Sequence, residues 1–226
     1  MTDALDRLAD IGDDLLGRVG GRLSQGGIPA GGPVWVLLRR VGALPADVLD
    51  YALTLDVEAL RTAAADLHGV ADRFGALPER LEAGVGRSAW EGAGAEAFGI
   101  VWHALVEHVG DGGDPATITG RLAATAAYLD ALADWAAGFR RELAEIIARA
   151  AASAEAVAVL AASAGPETAA AAARIAERVL ESAAGALDAA EHLHARWGDR
   201  LAELEYEPPR VPSGPAVISG VTRVNL

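Results

Sequence analysis

Leu129, Leu132, Ala136, Phe139, Leu143, Ile146, Ala150, Ser153, Val157 and Leu160 follow one another in alternating steps of three and four. A seam of that period lies on one face of an α-helix, so it predicts one long helix from about Thr117 or Gly120 to Ser163. A second seam, Val179, Ala183, Ala186, Ala190, Leu193 and Trp197, finished by Leu201 and Leu204, predicts another. Pro166 suits its first position, where the missing N–H costs nothing, and Glu167 favours the positive end of the helix dipole. The short turn "SAGPET" makes the two helices antiparallel neighbours. Many seam positions are alanine, which permits close backbone approach.

Composition points the same way. Hydrophobic residues are 52% of the 226, yet aromatics are only 5%. Much of the difference is alanine, which loses no side-chain entropy in a helix. An all-α fold with a thin core of closely approaching helices is expected, in one large or two small domains.

Upstream, Leu5, Leu8, Leu15, Leu16, Val19 and Leu23 give an imperfect amphipathic helix over residues 3–23. "QGGIPAGGP" reads as a linker or turn, "VWVLLRRV" as either a short strand or one buried helical turn, and "GALPADVLDYALTL" as short helical pieces. Val57, Leu60, Ala64, Leu67, Ala71 and Phe74 then form a helical seam, and Leu81 and Val85 keep its phase across Pro78. A single Pro-kinked helix to about Gly84 is expected. A further helix over about Ala93–Val109 carries Ala95, Phe98, Trp102, Leu105 and Val109 on one face, and "GDGGDP" closes it as a flexible loop. The domain reading is an N-terminal helical arm and linker (1–53), a helical hairpin (54–110), the long helix pair (116–205) and a Pro-rich extended tail (206–226).

The formal net charge of −13 argues against nucleic-acid binding, which needs a basic footprint to displace phosphate counterions, and against docking on anionic lipid. There are no cysteines, which excludes disulfides, thiolate metal sites and cysteine nucleophiles. The opening "MTDALDRLADIGDD" is acidic where a secretory signal is basic, and it lacks an apolar segment. No run of about 18 apolar residues is present, and "PVWVLL" is stopped by Arg39 and Arg40, so no spanning helix is expected. Export, if it occurs, is expected by a route independent of a signal peptide.

The stretch "SAWEGAGAEAF" sets Trp90 two residues before Gly92, between two expected helices. Glycine lets the backbone turn tightly or take positive φ. Trp90 can then fold over both helix ends, and Phe98 and Trp102, four apart, meet on one helical face. A helix, a Trp-x-Gly turn and a second helix with an aromatic six residues after the glycine resembles the WXG family, the small helical-hairpin substrates of the bacterial type VII (ESX) secretion system. The resemblance covers roughly Asp56–Val109 and rests on Trp90, Gly92, Ala95, Phe98 and Trp102. It implies that Trp90, Gly92, Phe98 and Trp102 form a recognition or interface motif. Implied partners are a helical-hairpin protein or a second copy of this chain, and the secretion ATPase if the chain is exported.

Family pairs carry a Tyr-x-x-x-Asp/Glu signal. Here the residue four after Tyr51 is Leu55, after Tyr128 it is Leu132 and after Tyr206 it is Arg210. The resemblance then implies an enlarged helical relative, or the N-terminal targeting region of a longer effector, with export as a complex whose partner supplies the signal as another possibility.

Catalytic patterns are sparse. His103 and Glu107 lie four apart, beside His108, and Asp111 or Asp114 in the next loop could complete a metal site. A solvated polar face carries the same pattern. His192 and His194 point apart on a helix and make a poor chelate. The glycine-rich loops lack the Lys and Ser/Thr of a phosphate-binding loop, and no nucleophile elbow appears. No cofactor, no metal and no enzymatic activity are expected. The expected function is that of a helical secretion substrate or targeting module acting by protein–protein contacts, in the bacterial cytoplasm before export and then outside the cell or on its surface. The alternative is an intracellular scaffold that self-assembles into oligomers.

Overall fold

The computed structural model describes residues 3–26, 32–85, 91–161 and 165–201. These residues form helices and connecting turns, with no strand among them. In chain order the helices are α1 (Ala4–Gly26), α2 (Pro33–Val41), α3 (Pro45–Thr54), α4 (Val57–Gly75), α5 (Leu77–Val85), α6 (Ala93–Val109), α7 (Ile118–Ala151), α8 (Ala154–Leu160) and α9 (Pro166–Trp197). A short 3-10 turn follows at Asp199–Leu201. The all-α expectation holds. The tail 206–226 lies outside the described residues.

The chain divides into two compact units, Met1–Leu60 with Ala131–Ala195, and Arg61–Asp130 with Arg196–Leu226. The first holds the large core. Leu5, Leu16 and Val19 of α1, Leu49 of α3, Leu143 and Ile147 of α7, and Ile175, Val179 and Leu180 of α9 are sealed from solvent. Such residues each contribute roughly 1.5–3 kcal/mol of transfer free energy. "VWVLLRRV" resolves as helix α2, started by Pro33 and closed by Gly42 at φ 72, with only Val34 buried. At Gly12, α1 lies close against α3 and α7. A Cβ there would stand 2.8 Å from Leu49 Cδ2 and 3.3 Å from Ile147 Cδ1.

Helices α7 and α9 run antiparallel. Midway along α7, the Trp135 indole N–H donates to the Ala186 carbonyl at 2.9 Å. Later on α7, Ile146 and Arg149 share a groove with Arg178 and Ser182, earlier on α9. The α7 seam is buried through Ala136, Phe139, Leu143, Ile146 and Ala150. Ala133, Arg140, Ala144 and Ile147 are buried as well, because α1 and α3 cover a second face of the same helix.

Arg140 is the charged member of this face, with its side chain 7% exposed. Asp3 and Asp6 cap the start of α1 reciprocally, each carboxylate accepting from the other's backbone N–H at 3.0 and 2.9 Å. Arg140 Nε donates to Asp3 at 2.7 Å, and Nη2 donates to Asp6 at 2.6 Å. Nη1 donates at 2.6 Å to the Ala52 carbonyl in the last turn of α3. One guanidinium thus bonds the acids that open α1 and the Ala52 carbonyl at the end of α3, which also accepts from Leu55 N at 3.3 Å. The Arg140 hydrogen bond holds the Asp3 carboxyl below its usual range.

Two expected helices divide. The Pro-kinked helix is α4 and α5, separated by a one-residue turn at Ala76, with Pro78 in the first turn of α5 where its ring is tolerated. The long helix expected to reach Ser163 stops at Ala151. Ser153 adopts an extended conformation, and its hydroxyl accepts from Ala156 N at 3.2 Å while donating to Ala150 O at 2.6 Å. One side chain therefore satisfies both the end of α7 and the start of α8. The seam stops with the helix: Val157 is 70% exposed, and Ala156 and Val159 are buried in its place. Ser153→Ala removes this cap and is expected to lower stability by about 1 kcal/mol in urea unfolding followed by circular dichroism. An unchanged midpoint would contradict the capping role.

Candidate functional site: the helix α6 corner

The second unit has a different interior. Among its described residues the buried hydrophobics are Ala64, Ala71 and Ala126, and no larger aliphatic or aromatic side chain joins them. Helix α6 has no buried residue at all. Phe98, Ile100, Val101 and Leu105 are each 37–44% exposed. A helix this apolar ordinarily sits inside a core; here much of its side-chain surface meets solvent.

The corner is built from glycine upward. Gly92 has φ 100 and ψ −177, a conformation open to glycine and closed to side chains with a Cβ. Its carbonyl accepts from Ala95 N at 2.9 Å and Glu96 N at 3.1 Å, starting the helix. A Cβ at Gly92 would meet nothing within 4 Å, so the requirement is conformational and not one of space. Two turns on, the rings of Phe98 and Trp102 stack, 6.1 Å between centroids and 8° between planes. The i,i+4 spacing thus delivers the aromatic pair expected of it. Trp90 lies outside the described residues, so its part in the corner is not described.

At the other end, Gly110 at φ 68 closes α6, its N–H donating to the Val106 carbonyl at 2.9 Å. The loop expected to be flexible is knit together. Asp111 accepts from Gly113 N at 3.0 Å, and Asp114 accepts from Ala116 N at 2.8 Å. Thr117 donates its hydroxyl to the Asp114 carbonyl at 2.7 Å, and Thr117 Oγ1 accepts from Gly120 N at 3.1 Å, capping α7. Asx and Thr turns of this kind are what Asp-Gly-Gly-Asp-Pro favours, a signal legible in the sequence.

The candidate metal ligands are spread among these local roles. The His103 Nδ1–H donates to the Gly99 carbonyl at 2.7 Å within its own helix. Asp111 and Asp114 serve the loop. No group of three His, Asp or Glu placed to hold a metal occurs among the described residues. His192 Nδ1–H likewise donates to Asp188 O at 2.6 Å, and His192 and His194 are exposed on α9. No described helix is long and apolar enough to cross a membrane.

Elsewhere in the second unit, His68 and Asp130 meet at 2.9 Å across α4 and α7. Tyr128 packs on Trp197 at 6.1 Å between centroids, and the Arg200 guanidinium lies 5.4 Å over the Trp197 ring. In the first unit, Glu142, Ile146, Arg149, Arg178, Glu181, Ser182 and Gly185 line a groove of about 320 Å³ whose two carboxylates balance two guanidiniums. Comparison with protein-family models, with curated proteins and with solved structures returned no match.

Proposed function

We propose that this chain is a helical substrate or targeting module of a type VII-like bacterial secretion system, working through protein–protein contacts centred on α6. One observation carries the proposal. A glycine held at φ 100 opens a helix whose Phe98–Trp102 stack and neighbouring aliphatics stay partly exposed. Residues that only packed a hairpin end would be expected to bury deeply; these leave apolar surface for a neighbour. The resemblance to the WXG pattern at Trp90 and Gly92 supplies the class of neighbour, a partner hairpin and the export ATPase. No reaction is assigned to the chain.

The test is export from cells carrying the secretion machinery, comparing the unmutated chain with Trp90→Ala and Phe98→Ala. Both variants are expected to lose export while keeping their helical circular dichroism. Phe98 is already partly exposed, so its truncation separates recognition from folding even if Trp90→Ala unfolds the corner. Export of folded Phe98→Ala at the unmutated level would overturn the proposal.

A further inference from the structure

The groove between α7 and α9 is bordered by two buried polar atoms that the fold leaves unserved. Ser182 is 6% exposed, and its hydroxyl has no hydrogen-bond partner among the described residues. A helical serine commonly returns its hydroxyl to the carbonyl four residues back; Ser182 does not. Arg178, one turn earlier on α9, donates through Nε to the Arg174 carbonyl at 3.2 Å, but its Nη2 is buried without a partner. Both residues line the same groove. Orphaned buried donors are rare in native proteins and mark places where an acceptor belongs.

The charges of the groove are laid out along its length. Helix α7 contributes Glu142, Ile146 and Arg149, four and three apart and so on one face. Because α9 runs the other way, Arg149 and Arg178 share one end. Glu142 lies two turns, roughly 10 Å, from Arg149 along α7, and Glu181 stands between the ends on α9. Arg174 is taken up by Glu155 at 3.2 Å, and Arg149 pairs only loosely with Glu145, at 3.8 Å and in solvent. No ion pair holds Glu142, Arg178 or Glu181 among the described residues. Ile146 supplies an apolar wall between the cationic and acidic parts.

We infer that this groove binds a small linear zwitterion, with a carboxylate at one end and an ammonium at the other, of which 6-aminohexanoate is the simplest. The carboxylate accepts from Arg178 Nη2 and the Ser182 hydroxyl, with Arg149 beside them. The methylene chain lies on Ile146, and the ammonium meets Glu142 and Glu181. A simple anion would face two glutamates, and a simple cation two guanidiniums; a dipolar ion uses both sets. The two donors are unpartnered, so a charged acceptor adds hydrogen bonds without breaking any. Rotation about χ1 of Ser182 and the terminal torsions of Arg178 turns them toward it. The volume of about 320 Å³ is at the small end for ligand sites and suits a small molecule. The groove belongs to the first unit, so the inference stands apart from the export reading, which rests on α6.

Titration of the full ¹⁵N-labelled chain with 6-aminohexanoate, followed by amide chemical shifts, tests it. Saturable shifts at Ile146 and Ser182 are expected, with a dissociation constant of roughly 0.1–1 mM for so small a ligand. Hexanoate and hexylamine keep one charged end each and are expected to bind about tenfold more weakly. Ser182→Ala removes one donor and is expected to weaken 6-aminohexanoate about fivefold. The same change raises the melting temperature of the ligand-free chain, because it deletes an orphaned hydroxyl and gains helix propensity. Glu142→Gln with Glu181→Gln is expected to weaken 6-aminohexanoate yet strengthen hexanoate, an opposition that a merely structural role would not produce. No saturable shift up to about 10 mM, or hexanoate binding the unmutated chain as tightly as 6-aminohexanoate, overturns the inference.

Discussion

Arg140→Ala is expected to destabilise the unit formed by Met1–Leu60 and Ala131–Ala195 by about 3 kcal/mol, within the range for breaking a buried ionic cluster from one side. The loss is larger than a surface ion pair would give for two reasons. The guanidinium is 7% exposed and makes short hydrogen bonds to Asp3, Asp6 and the Ala52 carbonyl. Its removal also strips the Ala52 carbonyl of the shorter of its two hydrogen bonds, leaving the 3.3 Å bond from Leu55 N. Asp3 and Asp6 are themselves 43% and 33% exposed and regain water, which holds the cost near the low end of that range. Urea unfolding of Arg140→Ala beside Arg140→Lys measures it. Lysine keeps the charge but cannot serve three acceptors from one rigid plane, so an intermediate loss is expected.

The same cluster sets an acid dependence. Asp3 is held below the usual carboxylate range by Arg140, so the folded state binds its proton more weakly than the unfolded chain does. The stabilisation is therefore complete above the ordinary Asp value near 4 and is lost as pH falls from there through the lowered folded value. Arg140 stays charged throughout. Arg140→Ala is expected to flatten this part of the stability–pH profile. A profile as steep as that of the unmutated chain would assign the acid sensitivity to other carboxylates.

Gly120→Ala is expected to cost about 2 kcal/mol, against the roughly 1 kcal/mol gain that glycine to alanine brings inside a helix. The sign reverses because a Cβ at position 120 would stand 1.9 Å from the Asp114 carbonyl oxygen and 3.0 Å from Thr117 Oγ1. Backbone cannot swing aside as a side-chain tip can, so the loop that caps α7 must shift as a whole. Thermal unfolding by circular dichroism, with amide exchange of residues 113–120, distinguishes the outcomes. A raised melting temperature with slower exchange would contradict the close approach.

Periodicity made the helices legible because burial on one face leaves a three–four spacing wherever a helix has one neighbour. It failed where α7 has two. Arg140, beside Arg141, reads as a wet face, and only the approach of α1 and α3 makes it interior. Ser153 sits on the seam, so apolar spacing ran through it, while its capping hydroxyl was the stronger local signal. At the candidate site, Gly92, Phe98 and Trp102 were legible because a positive φ and an i,i+4 stack are local properties. The exposure of α6 was not, since its pattern matches that of a buried helix and solvent access depends on what covers it.

The most direct measurement is the amount of unmutated chain exported by cells with and without the secretion ATPase. Export that needs the ATPase is the expected result. Equal export in its absence would contradict a type VII-like route, whatever the α6 face binds.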